Sequence, residues 1–523
     1  MRRWMTVLLC SLLALAGCAQ EKPCVAENGV VCYDEETGQF QIEDNAVIRV
    51  MVDHEEYGEA LVELWNQVHP EHPDVIEPVL ASTYDAVSWM QSKTDLALMW
   101  SSDAAQILGY FQPVNEDLAD QLRPYFPQQF GELLNSEALY YVPMSYYGMV
   151  FSTNVTMLQE LGYAVADNNQ DGLVDDFDSF EKLAELAKAW DGTVQRVKDQ
   201  TVTAILPVSF SDLWSSVVWL SAGGFRFFSS WDALKPGFDS PEFLQALQFL
   251  RFLGGYSWYL EEAEVVPDES AVAVEAVEQP VSDPQPAATE AVMEEQNRSF
   301  SELNRQALKE GWQYDVYLEK LISPFSMVGT WMFYQEQEEI EQQDFWFSKM
   351  PSWQGQTLSP LAQSRGYLIS AQTEYPSAAN EVLRLIRSEA GIQLYLDCTD
   401  EIAAVTETDW ADRRPVLAEG EEKAESEEVA KLYLNFGSEN RKQLMDAFAY
   451  SQEESMVAFQ QDPSVRGWTM LEELDILDMM RKVFSMEMTP EEAQADLMAR
   501  SETWMTPYQP QDEETENQTP AEK

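Results

Sequence analysis

Basic side chains are scarce in this sequence, and histidine is almost absent. Of its 523 residues, 32 are Lys or Arg and 91 are Asp or Glu, giving a formal net charge of −59. Nucleic acids are bound by Lys and Arg neutralising phosphates, so this balance excludes them as partners. It equally disfavours polyanionic substrates and anionic lipid surfaces, and it fits a neutral ligand. The three histidines, His54, His69 and His72, all lie near the start. They leave little material for a histidine-based catalytic triad or a zinc site. Beyond the N-terminus no segment reaches the roughly 18 uninterrupted apolar residues that a membrane-spanning helix needs. There is no internal repeat. What the chain has is length for two or more domains and an apolar fraction of 45%, enough for large cores.

The N-terminus reads as a leader. Met1-Arg2-Arg3 is a positive start, Trp4 to Ala14 is an apolar run too short to span a bilayer, and Leu15-Ala16-Gly17-Cys18 follows. That last tetrapeptide resembles the bacterial lipoprotein processing box. The resemblance implies removal of residues 1–17, lipidation of Cys18 and anchoring on the outer side of the cell membrane. Of the other cysteines, Cys10 leaves with the leader and Cys398 reads as a small core residue. Cys24 and Cys32 flank the hairpin signal Asn28-Gly29. Two readings stay open for them, a disulfide in an oxidising exterior or two free thiols.

Along the chain, β-rich runs alternate with helical periodicity. Val47 to Val52 reads as a buried strand. Ala60, Leu61, Leu64, Trp65 and Val68 follow at helical spacing, and Val75 to Leu80 and Asp95 to Trp100 are further strands. This alternation predicts an α/β fold with a largely parallel sheet. Leu139 to Asn154 is an apolar stretch interrupted by Pro143, which disfavours central strand pairing, and by Tyr146 and Tyr147. It reads as backbone passing a cleft or as a buried strand with proline at its edge. Residues 261–297 are rich in Ala, Val, Glu and Pro and have almost no large apolar side chains. They read as an acidic low-complexity insertion, and residues 506–523 as a disordered tail, because neither buries enough surface to offset its ordering entropy.

Several segments resemble, in consistent order, those of the carbohydrate-binding proteins that serve bacterial ABC importers, the maltodextrin-binding-protein-like family. Asn66 to Pro70 resembles its opening helix end, and Leu139 to Asn154 its first crossing strand. Phe325 to Trp331 is similar to its Gly-x-Trp segment, with Gly329 and Trp331 in register. Gly366 to Ser370 and Asp462 to Trp468 resemble its second and third crossings. The resemblance runs from about residue 45 to 505. It implies a two-lobed periplasmic-binding-protein-like α/β fold, each lobe a mostly parallel sheet flanked by helices, joined by crossing strands. The lobes expected are 45–150 with 368–460 and 151–367 with 461–505, after an N-terminal linker or hairpin at 18–44.

Sugars are held by aromatic faces against their C–H surfaces and by polar side chains on their hydroxyls. Trp100 and Asp103 lie at the C-terminal end of the third strand, the ligand edge of open α/β sheets. The resemblance implies that Trp100 stacks and Asp103 accepts hydroxyl protons. Ala104 stands where the family often has Arg, and Tyr146 and Tyr147 stand where it often has Glu and small residues. Both departures argue for a sugar other than maltodextrin. Trp331, Trp468 and Trp214 complete the expected ligand-binding set.

One further motif comes from spacing. Asp167 to Asp178 fits a twelve-residue calcium loop: oxygen donors at Asp167, Asn169, Asp171, Asp175 and Asp178, the backbone carbonyl of Leu173, and Gly172 at the sharp turn. A solvated acidic turn is the alternative.

The expected function is therefore capture of a neutral carbohydrate by a lipid-anchored, monomeric, non-enzymatic solute-binding protein that delivers it to an ABC-transporter permease. A secreted glycoside hydrolase is the first alternative, although no local motif supplies its carboxylate pair. A surface adhesin or glycan sensor is the second.

Overall fold

The computed structural model describes residues 24–26, 29–125, 138–169, 171–189, 195–197, 200–202, 204–227, 236–256, 258, 323–331, 344–399, 401–405, 408–410, 432–434, 439–454, 456–457 and 473–501. Cys18, Trp468, the third expected crossing, the 261–297 insertion and the 506–523 tail lie outside them.

The first described segment folds back on itself. Cys24 and Cys32 are joined in a disulfide with Cα atoms 5.5 Å apart, so the bridged reading of this pair is the one present. β1 (Tyr33–Asp34) then pairs antiparallel with β2 (Gln39–Phe40). β3 (Ile48–Val52), β4 (Ile76–Leu80) and β5 (Leu96–Trp100) follow. β3 lies between the other two and parallel to both. The helix Glu55–Val68 joins β3 to β4 and buries Tyr57, Leu61 and Trp65; of the expected apolar face, Ala60 and Leu64 are half-buried and Val68 is exposed. The short β6 (Phe111–Gln112) lies further on.

β7 (Val142–Asn154) is a 13-residue strand buried along its whole length. Pro143 does not interrupt it. Pro143 sits opposite Gly366 and Ser145 opposite Arg365, so Met144 is the extra residue of a bulge. A proline is tolerated in a central strand at such a place, where its missing N–H removes no ladder bond. Two small hairpins, β8 (Gln195–Val197) with β9 (Gln200–Val202) and β12 (Ser352–Trp353) with β13 (Gln356–Thr357), form separate two-stranded sheets. β10 (Phe325–Gly329) and β11 (Phe345–Ser348) both run antiparallel to β7. β14 (Leu361–Ser370) lies at the centre, antiparallel to β7 on one side and to β5 on the other. The sheet order is β10-β7-β14-β5-β3-β4. The parallel sheet expected from the sequence is present at β3, β4 and β5. The described partners of β7 are antiparallel.

Two large apolar cores flank the long strands. Val142 and Met144 of β7 and Tyr367 and Ile369 of β14 pack in the core that holds β3 and the helix Glu55–Val68. Tyr146, Met149, Val150 and Phe151 of β7 and Leu361 and Ala362 of β14 pack in the other, with the helices Phe180–Ala189 and Pro241–Gly254. Both strands thus change cores at the paired residues Ser145 and Arg365.

The first lobe is stitched to its N-terminal segment by two buried carboxylates. Glu43 accepts hydrogen bonds from the backbone N–H groups of Ser377 and Ala378, both at 2.8 Å, and so caps the helix Pro376–Ile386, whose first N–H groups have no partner within the helix. One turn on, Glu381 accepts from Phe40 N at 2.9 Å, meets His69 Nε2 at 2.9 Å and pairs with Arg384. Burial pushes the Glu381 carboxyl up, but the bonds from Arg384 and His69 outweigh it and hold the group below its usual range. A depressed carboxylate stabilises the fold fully above its unfolded-state pKa of about 4.3, and this contribution is lost as pH falls through the native value. Glu381→Gln should therefore cost about 3 kcal/mol at pH 7, the scale of removing one charge from a buried pair. Denaturant unfolding at pH 7 and at pH 3 checks this. The gap between variant and parent should narrow at the lower pH, and a pH-independent gap contradicts the charge assignment.

Candidate functional site

β3 and β5 are parallel neighbours, so their C-terminal ends lie on one edge of the sheet. β3 ends at Val52, and Asp53 and His54 follow at once, His54 as the N-cap of the next helix. β5 ends at Trp100, which directly precedes the helix Ser101–Gln106. Paired residues of a ladder point to the same face, and strand neighbours alternate. Trp100 pairs with Arg365, Arg365 with Ser145, and Tyr147 with Gln363, two residues along. Trp100, Arg365 and Tyr147 therefore share a face. Their rings and guanidinium meet: Trp100 and Tyr147 lie 4.7 Å apart edge to face, and the Arg365 guanidinium lies 4.1 Å from the ring of Tyr84, 5.2 Å from Tyr147 and 5.7 Å from Trp100.

Acidic side chains close the other side. Arg365 Nη2 lies 2.5 Å from Asp53 Oδ2 and 3.1 Å from Glu401 Oε1, and it donates to the Tyr395 hydroxyl at 3.3 Å. Tyr395 in turn donates to Asp53 at 2.8 Å, and His54 Nδ1 lies 3.1 Å from Asp53 Oδ1. The side chains of Asp53 and Arg365 are 1% and 4% exposed, whereas that of Glu401 is 21% exposed. Burial would raise the Asp53 carboxyl, but His54 and the Arg365 charge bring it below its usual range. The hydrogen bond that His54 donates to the Asp53 carboxylate raises the imidazole above its ordinary value.

A second aromatic pair belongs to the other core. Trp214 and Trp331 are half-buried, with ring centroids 6.5 Å apart. Asp212 caps the short helix carrying Trp214, accepting from Ser215 N at 2.8 Å. Trp331 folds back over Gly329: a Cβ there would stand 2.4 Å from Trp331 Cε2 and Cζ2, so only glycine leaves room for the ring. Thr330 N donates to Gly148 O at 2.9 Å, which sets Trp331 one residue beyond the ladder and next to the β7 segment that carries Tyr147.

Trp100 and Tyr147 are thus brought together, as are Trp214 and Trp331. Asp103 is half-buried on the helix after Trp100. Burial raises its carboxyl above the usual range, and it accepts from Ala86 N at 3.4 Å. Tyr146 is 1% exposed and packs in the second core, since strand alternation turns it away from Tyr147. Six residues of the cluster carried no mark in the sequence reading: Asp53, His54, Tyr84, Arg365, Tyr395 and Glu401. Asp53 had a usable signal, because it follows a strand just as Trp100 ends one. Arg365 is a lone charge in the strand run Leu361–Ser370.

The Asp167–Asp178 loop lies against the second core, where Leu173 and Val174 are buried. Gly172 has φ +78°, and a Cβ there would meet Phe347 O at 2.8 Å, as the sharp turn of a calcium loop requires. Asp167 accepts from Asp171 N at 3.1 Å and Gly172 N at 2.9 Å. Asp178 Oδ2 meets Lys182 Nζ at 2.8 Å. The all-oxygen donor set suits a hard cation. Among the described residues, however, no three acidic, His or Cys side chains already stand grouped for a metal. Calcium would have to draw Asp178 from Lys182.

No family model and no curated protein matches the sequence. Solved structures do match the fold. The chain is similar to a maltodextrin-binding protein, MalE1, from L. casei BL23, solved without ligand: TM-score 0.55 and 9% identity, covering 89% of this chain and 100% of that one. It is also similar to the maltose-binding periplasmic protein MalE from Listeria monocytogenes, solved in complex with maltose: TM-score 0.52 and 12% identity, covering 87% and 97%. At these identities the likeness establishes the two-lobed binding-protein fold.

Proposed function

We propose that the protein captures a neutral carbohydrate, an oligosaccharide in particular, between its two lobes and delivers it to an ABC-transporter permease while held at the outer membrane face by a lipid on Cys18. The observation that carries the ligand class is the pair of aromatic surfaces. Trp100, backed by the buried Tyr147, and Trp331 with Trp214 flank the point where β7 and β14 change cores. Flat rings receive the C–H faces of pyranoses, and Asp103 and Glu401 are half-buried acceptors for hydroxyls. The fold neighbours include a maltodextrin-binding and a maltose-binding protein. Capture needs no chemistry: binding free energy that favours a closed arrangement of the lobes suffices. A hydrolase would need both a general acid with a raised pKa, a shift that burial gives Asp103, and a second free carboxylate across the sugar. Asp53, the buried carboxylate of the cluster, is shifted the other way and is paired with Arg365.

A thermal-shift screen over maltodextrins and other neutral oligosaccharides tests this reading. A ligand at 100 times its dissociation constant should stabilise by about 2.7 kcal/mol. Trp331→Ala should weaken that ligand by about 2 kcal/mol, the scale of a buried aromatic hot spot. Absence of any shift across the panel, or release of reducing sugar, contradicts the proposal.

The anchor rests on the leader and its Leu15-Ala16-Gly17-Cys18 box. Two acyl chains on one lipid give stable attachment where a single chain does not. Cys18→Ala should move the protein from the membrane fraction to the medium, and continued membrane retention argues against lipidation there.

We further propose that Asp167, Asn169, Asp171, Asp175, Asp178 and the Leu173 carbonyl hold a structural calcium ion. It would offset the mutual repulsion of the loop's carboxylates. Millimolar calcium should raise the melting temperature of the parent and leave Asp171→Ala unmoved; equal shifts in both, or none, refute the site.

A further inference from the structure

We propose that Arg365 is a positioning residue: it does not touch the ligand, but holds the aromatic wall and the acidic rim of the cleft in their receiving arrangement and ties both to the crossing strands. The proposal rests on the carbohydrate reading for its binding readout only; the geometry stands apart from it.

Arg365 is nearly sealed from solvent, so it acts through its neighbours. Its guanidinium fills the space enclosed by Tyr84, Trp100 and Tyr147, and it is the group those three rings share. A guanidinium suits this place because it is planar, weakly hydrated and able to stack while donating in its own plane. On its other side it meets Asp53, Tyr395 and Glu401. Asp53 follows the strand β3 of the first core, whereas Glu401 immediately precedes Ile402, Ala403, Ala404 and Val405 of the second. One side chain thus spans the end of a strand of the first core and the start of a segment of the second core.

That segment is itself firmly placed. Arg441 donates to the carbonyls of Leu396, Thr399 and Glu401, and Arg387 to that of Ala404. Tyr146 N donates to Ile402 O, and Ala404 N to Met144 O, so the segment lies along β7 on either side of Ser145. Glu401 is therefore delivered to the cleft on a rigid support, and Arg365 fixes its carboxylate. Arg365 also sits in β14 at the residue where that strand leaves one core for the other. A lysine would keep the charge there, but a point charge cannot lie flat on Tyr84 and reach two carboxylates together. Without Arg365, Asp53 becomes a buried carboxylate lacking its main counter-charge, and the three rings lose the group packed between them.

The experiment uses the mature chain with Arg365→Lys and Arg365→Ala, and guanidinium chloride at a few millimolar against equal sodium chloride. Its first readout is melting and near-ultraviolet circular dichroism, which needs no sugar. Guanidinium should raise the melting temperature of Arg365→Ala by several degrees and return its aromatic signal toward that of the parent, with no effect on the parent or on Arg365→Lys. The second readout is calorimetric binding of maltotetraose. Both variants should bind at least tenfold more weakly, and guanidinium should recover most of the loss in Arg365→Ala alone. A folded variant with parental aromatic signal and affinity overturns the proposal, as does a folded Arg365→Ala indifferent to guanidinium. Should neither variant fold, Glu401→Gln decides: an altered aromatic signal at unchanged melting temperature supports the proposal, and an unaltered signal overturns it. If the parent itself does not bind maltotetraose, that ligand is wrong, and the sugar-free readout still decides the role of Arg365.

Discussion

The pairing of β7 with β14 at Ser145 and Arg365 is the constraint on which the rest of the structure depends. At that rung two antiparallel strands leave one apolar core and enter another. A strand is stiff along its length and easily bent where its ladder slips, and the slip here is the Met144 bulge beside Pro143. The same rung carries Arg365 toward Trp100 and places Tyr147 two residues away. The place where the two cores meet is thus also the place where the rings of Trp100, Tyr147 and Tyr84 are assembled about Arg365.

Charge follows the same logic at two scales. The chain is strongly acidic, yet its buried basic groups are concentrated where backbone and carboxylates must be held. Arg365, Arg387 and Arg441 all lie in or around the segment Thr399–Val405. Exposed acidic residues far from these points act mainly through solubility and repulsion of anions. Arg365, sealed among the rings, faces two carboxylates, so its positive charge is compensated where it lies.

Much of the fold was legible from local pattern. The β3–helix–β4 opening and the strand ending at Trp100 stand where periodicity places them, and β14 contains the Gly366–Ser370 run that the family resemblance marked. Trp100, Trp214 and Trp331 were legible as candidates because each ends a strand or follows a strand or cap, and Tyr147 because it stands in the Pro143-interrupted stretch. Their pairing was not, since Trp100 meets Tyr147 only across the register of β5 and β7 with the distant β14. Tyr146 shows the limit from the other side. Two adjacent tyrosines look alike in sequence, but alternation turns Tyr147 toward Trp100 and Arg365 and Tyr146 into the second core. Glu401 had no signal at all, because its position depends on long-range bonds from Arg365 and Arg441. The apparent break at Pro143 was misleading for the same reason: a bulge is a property of two strands together.

A neutral oligosaccharide bound at the aromatic wall is proposed to draw the two lobes together about the Ser145–Arg365 rung. Small-angle X-ray scattering of the mature chain, recorded with and without a saturating concentration of the neutral oligosaccharide that stabilises it most in the thermal-shift panel, tests this most directly. A smaller radius of gyration in the presence of sugar is the predicted result. Stabilisation by the sugar with an unchanged scattering profile would contradict the claim.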